Sequence, residues 1–238
     1  MSMSTPIIPL SKLPNFDPRR VPVEGVDAHL PAVAASRLSA HALQQRFANP
    51  PHWEPEVMAE KKFADRVPAP AAVLLALVMH PGRPTLLLTE RTEHLSTHSG
   101  QVAFPGGKVD DTDVDAAAAA LREAHEEVGL ESRFIEIIGT LPIYVTGTAF
   151  IVTPVVALVT PGFSLTPNPD EVADAFEVPL DFLLNPANHR RHAFEWEGVR
   201  REWFSMPYAD DATDPAKERF IWGATAGMLR NFYRFLAA

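Results

Sequence analysis

Apolar and polar positions alternate along this chain in blocks that predict strands and helices. Residues 71–79 (AAVLLALVM) are apolar without a break, as in a strand buried on both faces. The turn His80-Pro81-Gly82-Arg83-Pro84 follows. Residues 85–91 (TLLLTER) then give a second strand, so the two read as a hairpin. A polar loop over 92–100 delivers Gln101-Val102-Ala103-Phe104 to a Gly106-Gly107 turn. The alanine-rich stretch ending at Val128 has helical periodicity. Ala117, Ala120, Leu121, Ala124 and Val128 lie on one side, able to bury against a sheet. Asp113 or Asp115 suits its N-cap, and Gly129 suits the position just past its end.

Downstream, residues 134–144 are strand-like, with a break at Gly139 and a bend at Pro142. Residues 149–159 (AFIVTPVVALV) predict another buried strand, in which Pro154 points to a bulge or an edge. Residues 171–176 read as a short connector, and 179–184 as the start of a helix. Residues 189–197 and 199–206 form a hairpin around Glu197-Gly198. A short strand over 218–222 and an amphipathic helix over 223–236 close the chain. Strands interleaved with helices imply an α/β fold, a mixed sheet with helices on both faces.

Residues 1–68 differ. Prolines at 6, 9, 14, 18, 22, 31, 50, 51 and 55 interrupt any long period. A short amphipathic helix is expected over 36–48, ended by Pro50-Pro51, and a second over 54–63. The reading is an N-terminal extension over 1–68, partly helical, packed as an accessory arm on a main domain over 69–238. On that reading, removal of residues 1–65 leaves a folded domain.

Composition narrows the function. A net charge of -9 argues against a general nucleic-acid partner, which needs a basic face. The absence of cysteine excludes disulfides, thiolate nucleophiles and zinc–thiolate sites. No apolar run reaches the length of a membrane span, and the first residues lack the form of a secretory signal. A cytoplasmic protein with no membrane partner is expected.

The chemistry concentrates between Phe104 and Leu130 (FPGGKVDDTDVDAAAAALREAHEEVGL). With Glu123 at about 0° on a helical wheel, Glu127 falls near 40° and Glu126 near 300°. Three carboxylates thus share one stripe, where like charges at these spacings repel. Such a cluster of hard oxygen donors suits a divalent cation such as magnesium. Arg122, near 260°, stands beside Glu126. His125 points the other way.

The segment resembles the Nudix box, G-x5-E-x7-R-E-U-x-E-E-x-G-U, with U a bulky aliphatic residue. Gly107 matches its first glycine, and Arg122-Glu123-Ala124-His125-Glu126-Glu127-Val128-Gly129-Leu130 match its second half. Asp113 stands where the box has glutamate, and eight residues rather than seven separate it from Arg122. The resemblance implies a Nudix α/β/α sandwich and hydrolysis of a nucleoside diphosphate linked to another group, with Mg2+ or Mn2+. It makes Glu123, Glu126 and Glu127 the metal ligands. Arg122 orients a carboxylate. Glu123, or a fourth acid led by Glu171, acts as general base.

Residues 87–107 (LLTERTEHLSTHSGQVAFPGG) further resemble the second signature of the coenzyme A pyrophosphatases, LLTxR…LRxHxGQVAFPGG. Ser96 replaces its usual basic residue. The substrate implied is coenzyme A or its thioesters. An ADP-ribose or NADH pyrophosphatase is the alternative, and a non-catalytic nucleotide-binding module a further one. Arg91, Gln101, Phe104, Gly106 and Gly107 are the substrate-binding candidates. His94 and His98 lie close enough in sequence to touch phosphate. A homodimer is compatible with this reading.

Overall fold

A computed structural model describes residues 16–60, 67–92, 100–209 and 218–238. In chain order the strands are β1 Val23–Val26, β2 Ala69–Val78, β3 Thr85–Arg91, β4 Val102–Ala103, β5 Gly106–Lys108, β6 Ile135–Thr140, β7 Tyr144–Val145, β8 Phe150–Val159, β9 Val172–Pro179, β10 Arg190–Trp196, β11 Val199–Ala209 and β12 Glu218–Trp222. The helices are α1 Ala40–Ala48, α2 Ala116–Val128, α3 Leu180–Leu183 and α4 Gly223–Ala237.

The strands form two sheets. The larger runs β4-β3-β2-β8-β6, with β5 on β2, β7 on β8 and β9 on β3. It is mixed, because β2 and β8 lie parallel from Ala69↔Phe150 to Val78↔Val159, while β3 folds back antiparallel on β2 through Leu77↔Leu86. β2 is apolar on both faces because both are covered. Ala72, Leu74, Ala76 and Val78 pack with Ala120, Ala124 and Val128 of α2. Leu75 and Leu77 pack into the opposite layer, with Leu43 of α1 and Leu229 and Phe232 of α4. The second sheet, β1-β10-β11-β12, leans on α4. Its hairpin turns through Glu197 (φ 50°) and Gly198 (φ 74°), two left-handed residues that give the twist a tight antiparallel turn needs.

The structure corrects three expectations. Pro154 sits in a strand flanked by β2 and β6, not at an edge. β6 ends at Thr140↔Val155, and Leu141 N–H still donates to the Pro154 carbonyl at 3.0 Å. The missing proline N–H therefore falls where the partner strand breaks off. Residues 172–179 form β9, a strand along the full length of β3, rather than a connector. Its Asp174 and Glu177 hid the strand pattern, yet both are satisfied, by Arg219 and by Thr85 and His80. Residues 54–60 are not helical. Ala59 bridges Val145, and Glu60 N–H donates to the Val145 carbonyl.

The N-terminal region pairs and packs with the rest of the chain. β1 pairs with β10, and Leu43 is fully buried among residues of α4 and the larger sheet. Arg46 donates to the carbonyls of Phe235 and Leu236 at the end of α4. Leu229, Phe232 and Phe235 of α4 share a core cluster with Leu43, so removal of residues 1–65 would uncover apolar surface there.

Candidate functional site

The site begins with two glycines that let a strand pass close beneath a helix. β5 lies antiparallel on β2 through Gly106↔Val73 and Gly107↔Ala72. A Cβ on Gly106 would sit 2.4 Å from the Ala72 carbonyl oxygen, and one on Gly107 would sit 2.4 Å from Glu123 Oε1. Gly106 admits no side chain, because it would meet backbone, and a side chain at Gly107 would push the Glu123 carboxylate aside. The closeness brings Gly106 N–H to Glu127 Oε2 at 3.1 Å.

Above this turn, α2 starts at Asp115, whose Oδ1 accepts the Ala118 N–H at 2.8 Å. It ends at Gly129 (φ 71°), whose N–H donates to the His125 carbonyl. Ala119, Ala120, Ala124 and Val128 are fully buried, so the helix rides low on the sheet. The three glutamates therefore differ. Glu127 is on the buried margin with its side chain 4% exposed, Glu123 is half-buried, and Glu126 is 56% exposed.

Arg122 organises two of them. Its Nε and Nη2 donate to the two oxygens of Asp113 at 3.1 and 2.9 Å, a bidentate pair. Its Nη1 donates to Glu123 Oε1 and to Glu126 Oε2, each at 3.0 Å, and Nη2 also reaches the Lys108 carbonyl. Asp113, further fixed by the Asp110 N–H at 2.8 Å, is thus not the N-cap but the seat of Arg122. The guanidinium holds the Asp113 carboxyl below the usual carboxylate range.

Glu127 behaves differently. Burial pushes its carboxyl up to about 7, and the charges of Glu123 and Glu171 add to the rise, while the Gly106 N–H and Arg91 oppose it. Burial also raises Glu123, against the pull of Arg122 and with further push from Glu126 and Glu171. Glu171 thus acts electrostatically on the same space. Its loop is fastened to the end of α2, because Thr166 N–H donates to the Val128 carbonyl and Asn168 N–H to the Glu127 carbonyl, both at 2.8 Å. Glu171 leads into a strand, so it is not a helix N-terminal charge.

Arg91, the last residue of β3, faces Glu127 with Nη1 3.6 Å from Oε1. Its neighbour Glu90 pairs with Arg219. The Gln101 carbonyl accepts the Arg91 N–H at 3.0 Å, which places Gln101 beside the site. Phe104 does not belong to it, since its ring is buried in the core with Leu88 and Val102. His94, Ser96 and His98 lie outside the described residues. His125 is exposed, as expected.

Glu123, Glu126, Glu127 and Glu171 offer only oxygen, the donor preferred by Mg2+ and Mn2+. Among the described residues, no three acidic or histidine side chains already enclose an ion-sized space. The set fits a cation because its carboxylates outnumber the two guanidiniums beside them; burial first, and the neighbouring acids after it, raise Glu123 and Glu127. Sequence reasoning left the role of Asp113 open. The cue was available, since an acid on the loop before a helix can fold back onto an arginine two turns along.

The family model of the NUDIX domain matches residues 68–206. The Escherichia coli K12 protein called Uncharacterized Nudix hydrolase NudL is 44% identical over 161 residues, covering 67% of this chain and 79% of that protein. Among solved structures, the M. smegmatis Nudix hydrolase RenU is 29% identical, covering 55% of this chain and 80% of its own, with a TM-score of 0.43. The NUDIX domain of Shewanella oneidensis NrtR, solved with ADP ribose, is 18% identical, covering 57% and 82%, with a TM-score of 0.38. No described helix is long and apolar enough to cross a membrane.

Proposed function

The chain belongs to the Nudix hydrolases, and from that premise we propose that it cleaves the diphosphate of coenzyme A or its thioesters, giving 3′,5′-ADP and 4′-phosphopantetheine or its acyl form. As an enzyme of that family it hydrolyses a diphosphate bond with the help of divalent metal ions. The coenzyme A assignment rests on residues 87–107, which resemble the signature of that subfamily, and is supported by Arg91, which faces Glu127.

Glu123, Glu126 and Glu127 would hold Mg2+ or Mn2+, which neutralises diphosphate charge and lowers the pKa of a bound water. The protein's own groups do the rest. Arg122, seated on Asp113, fixes Glu123 and Glu126 side by side, so neither must be ordered during turnover. Arg91 supplies a planar cation for a phosphate oxygen. Glu123 or Glu171 accepts the proton of the attacking water as its oxygen bonds to phosphorus and the bridging P–O bond breaks. The leaving phosphate takes the bond electrons.

The test is turnover on coenzyme A, dephospho-coenzyme A, ADP-ribose and NADH with Mg2+ or Mn2+. Coenzyme A is expected to give the highest kcat/KM, with 3′,5′-ADP as product. A preference for ADP-ribose or NADH would move the chain to the other pyrophosphatase class. No turnover of any diphosphate would overturn the catalytic reading.

A further inference from the structure

Arg91 is positioned unlike the other arginine of the site. Arg122 is locked by Asp113, Glu123, Glu126 and the Lys108 carbonyl at 2.9–3.1 Å. Arg91 meets Glu127 at 3.6 Å, an ion pair longer than a hydrogen bond. Its backbone, by contrast, is fixed. Arg91 N–H donates to the Gln101 carbonyl at 3.0 Å, and the Arg91 carbonyl accepts the Gly100 N–H at 3.2 Å. The β3–β9 register shifts between Glu90 and Arg91, where β9 carries the extra residue Ala173. Arg219 takes Glu90, so the adjacent acid does not capture the guanidinium. Among the described residues, a rigid base therefore carries a long side chain whose one ion pair is loose.

That contact is with the most buried carboxylate of the site. Glu127 Oε2 is engaged by the Gly106 N–H, and Oε1 is the oxygen that faces Arg91. A divalent cation drawn to Glu127 must compete with the guanidinium for the same carboxylate. A guanidinium displaced from it stays within reach of a phosphate bound at that cation.

We propose that Arg91 is an exchangeable counter-ion: it holds Glu127 until a divalent cation takes that carboxylate, and it then grips a phosphate oxygen of the substrate. This rests on the reading of Glu127 as a ligand of the cation. Each binding event then favours the other, since the cation releases Arg91 for phosphate and the phosphate removes the competitor of the cation. A residue with a merely structural role would weaken both when replaced. An exchanging residue moves them in opposite directions.

The experiment is titration calorimetry of the full chain with Mn2+ alone, beside steady-state kinetics on coenzyme A. Arg91→Gln is expected to bind Mn2+ about fivefold more tightly or better. Its kcat/KM falls about ten- to a hundredfold, chiefly through KM. Arg91→Lys, which keeps the charge, should restore Mn2+ affinity towards wild type and recover part of KM. Equal or weaker Mn2+ binding by Arg91→Gln would overturn the exchange. Glu127→Gln separates the two levels. If it loses Mn2+ affinity while Arg91→Gln gains none, the ligand reading stands and the exchange falls. If Glu127→Gln binds Mn2+ as wild type does, the ligand reading fails and the exchange with it.

Discussion

Arg122 gathers carboxylates from its own helix and the loop before it, Arg230 gathers them from distant parts of the chain, and their surroundings are opposite in balance. Arg230, on α4 with its side chain 3% exposed, donates to Glu56 at 2.8 Å and pairs with Asp27 at 2.9 Å. It also donates to His189 Nδ1 at 3.2 Å and lies over the rings of Phe204 and Tyr233. Arg191 and Arg234 add a second guanidinium to each carboxylate. Three guanidiniums there answer two carboxylates, and the cluster joins the N-terminal region to α4. Around Arg122 and Arg91 stand Asp113, Glu123, Glu126, Glu127 and Glu171, more negative charge than two guanidiniums neutralise. A cluster whose carboxylates are all answered by guanidiniums acts as a staple. One with surplus negative charge and exposed oxygens is suited to take a cation.

The largest expected effect is on the staple. Arg230→Met should cost about 3–5 kcal/mol of stability, because it leaves Asp27 and Glu56 charged with their shared partner gone. Urea denaturation reads that loss, and Mn2+ affinity of the folded variant should be unchanged. A cost under about 1 kcal/mol would break the contrast.

The two clusters should also respond to pH with opposite sign. Burial pushes Glu127 up from 4.5 to about 7, so the folded chain holds this proton more tightly than the unfolded chain does. Its stabilising contribution is full below 4.5 and lost as pH rises through about 7. His189 goes the other way. Its Nε2 donates to the Leu183 carbonyl and its Nδ1 accepts from Arg230, which fixes the neutral ring. Burial takes it from 6.5 down to about 4, so its contribution is full above 6.5 and lost as pH falls through about 4. Each amounts to about 3 kcal/mol at most. With divalent ions chelated, the two oppose each other in the wild type. Glu127→Gln removes one of them, and its stability should climb with pH between 4 and 6.5 more steeply than that of the wild type. Superimposable pH profiles would show that Glu127 carries no such strain.

A smaller effect is expected where the two kinds of contact meet. Asp113→Ala removes the bidentate seat of Arg122 but no proposed metal ligand. Turnover should fall about fivefold, near 1 kcal/mol, with KM little changed. A variant with wild-type kcat would reduce Asp113 to a loop contact.

What could be read beforehand follows from range. α2, its cap region and the glutamate stripe are local, so helical spacing exposed them. The strands from Ala69 to Arg91 announced themselves by unbroken apolar runs. β9 escaped because its charged positions are satisfied by partners far away in sequence, Arg219 and Thr85. The pairing of Asp27 and Glu56 with Arg230 spans most of the chain, and proline-rich sequence between residues 1 and 68 gave no sign of it. The division of the glutamates into buried, half-buried and exposed was also hidden. A wheel gives angle, whereas the closeness of β5 beneath α2 depends on Gly106 and Gly107 packing without side chains.

The most direct test of the cation-holding cluster is the rate of coenzyme A cleavage against Mg2+ concentration for wild type, Glu126→Gln and Glu127→Gln. The amides keep the shape of the side chains and lose the charge. Each variant is expected to turn over at least about tenfold more slowly, about 1.4 kcal/mol of barrier, and to need more Mg2+ while remaining folded. Full turnover by both variants with the wild-type Mg2+ requirement would contradict the assignment of the α2 carboxylates as the metal site.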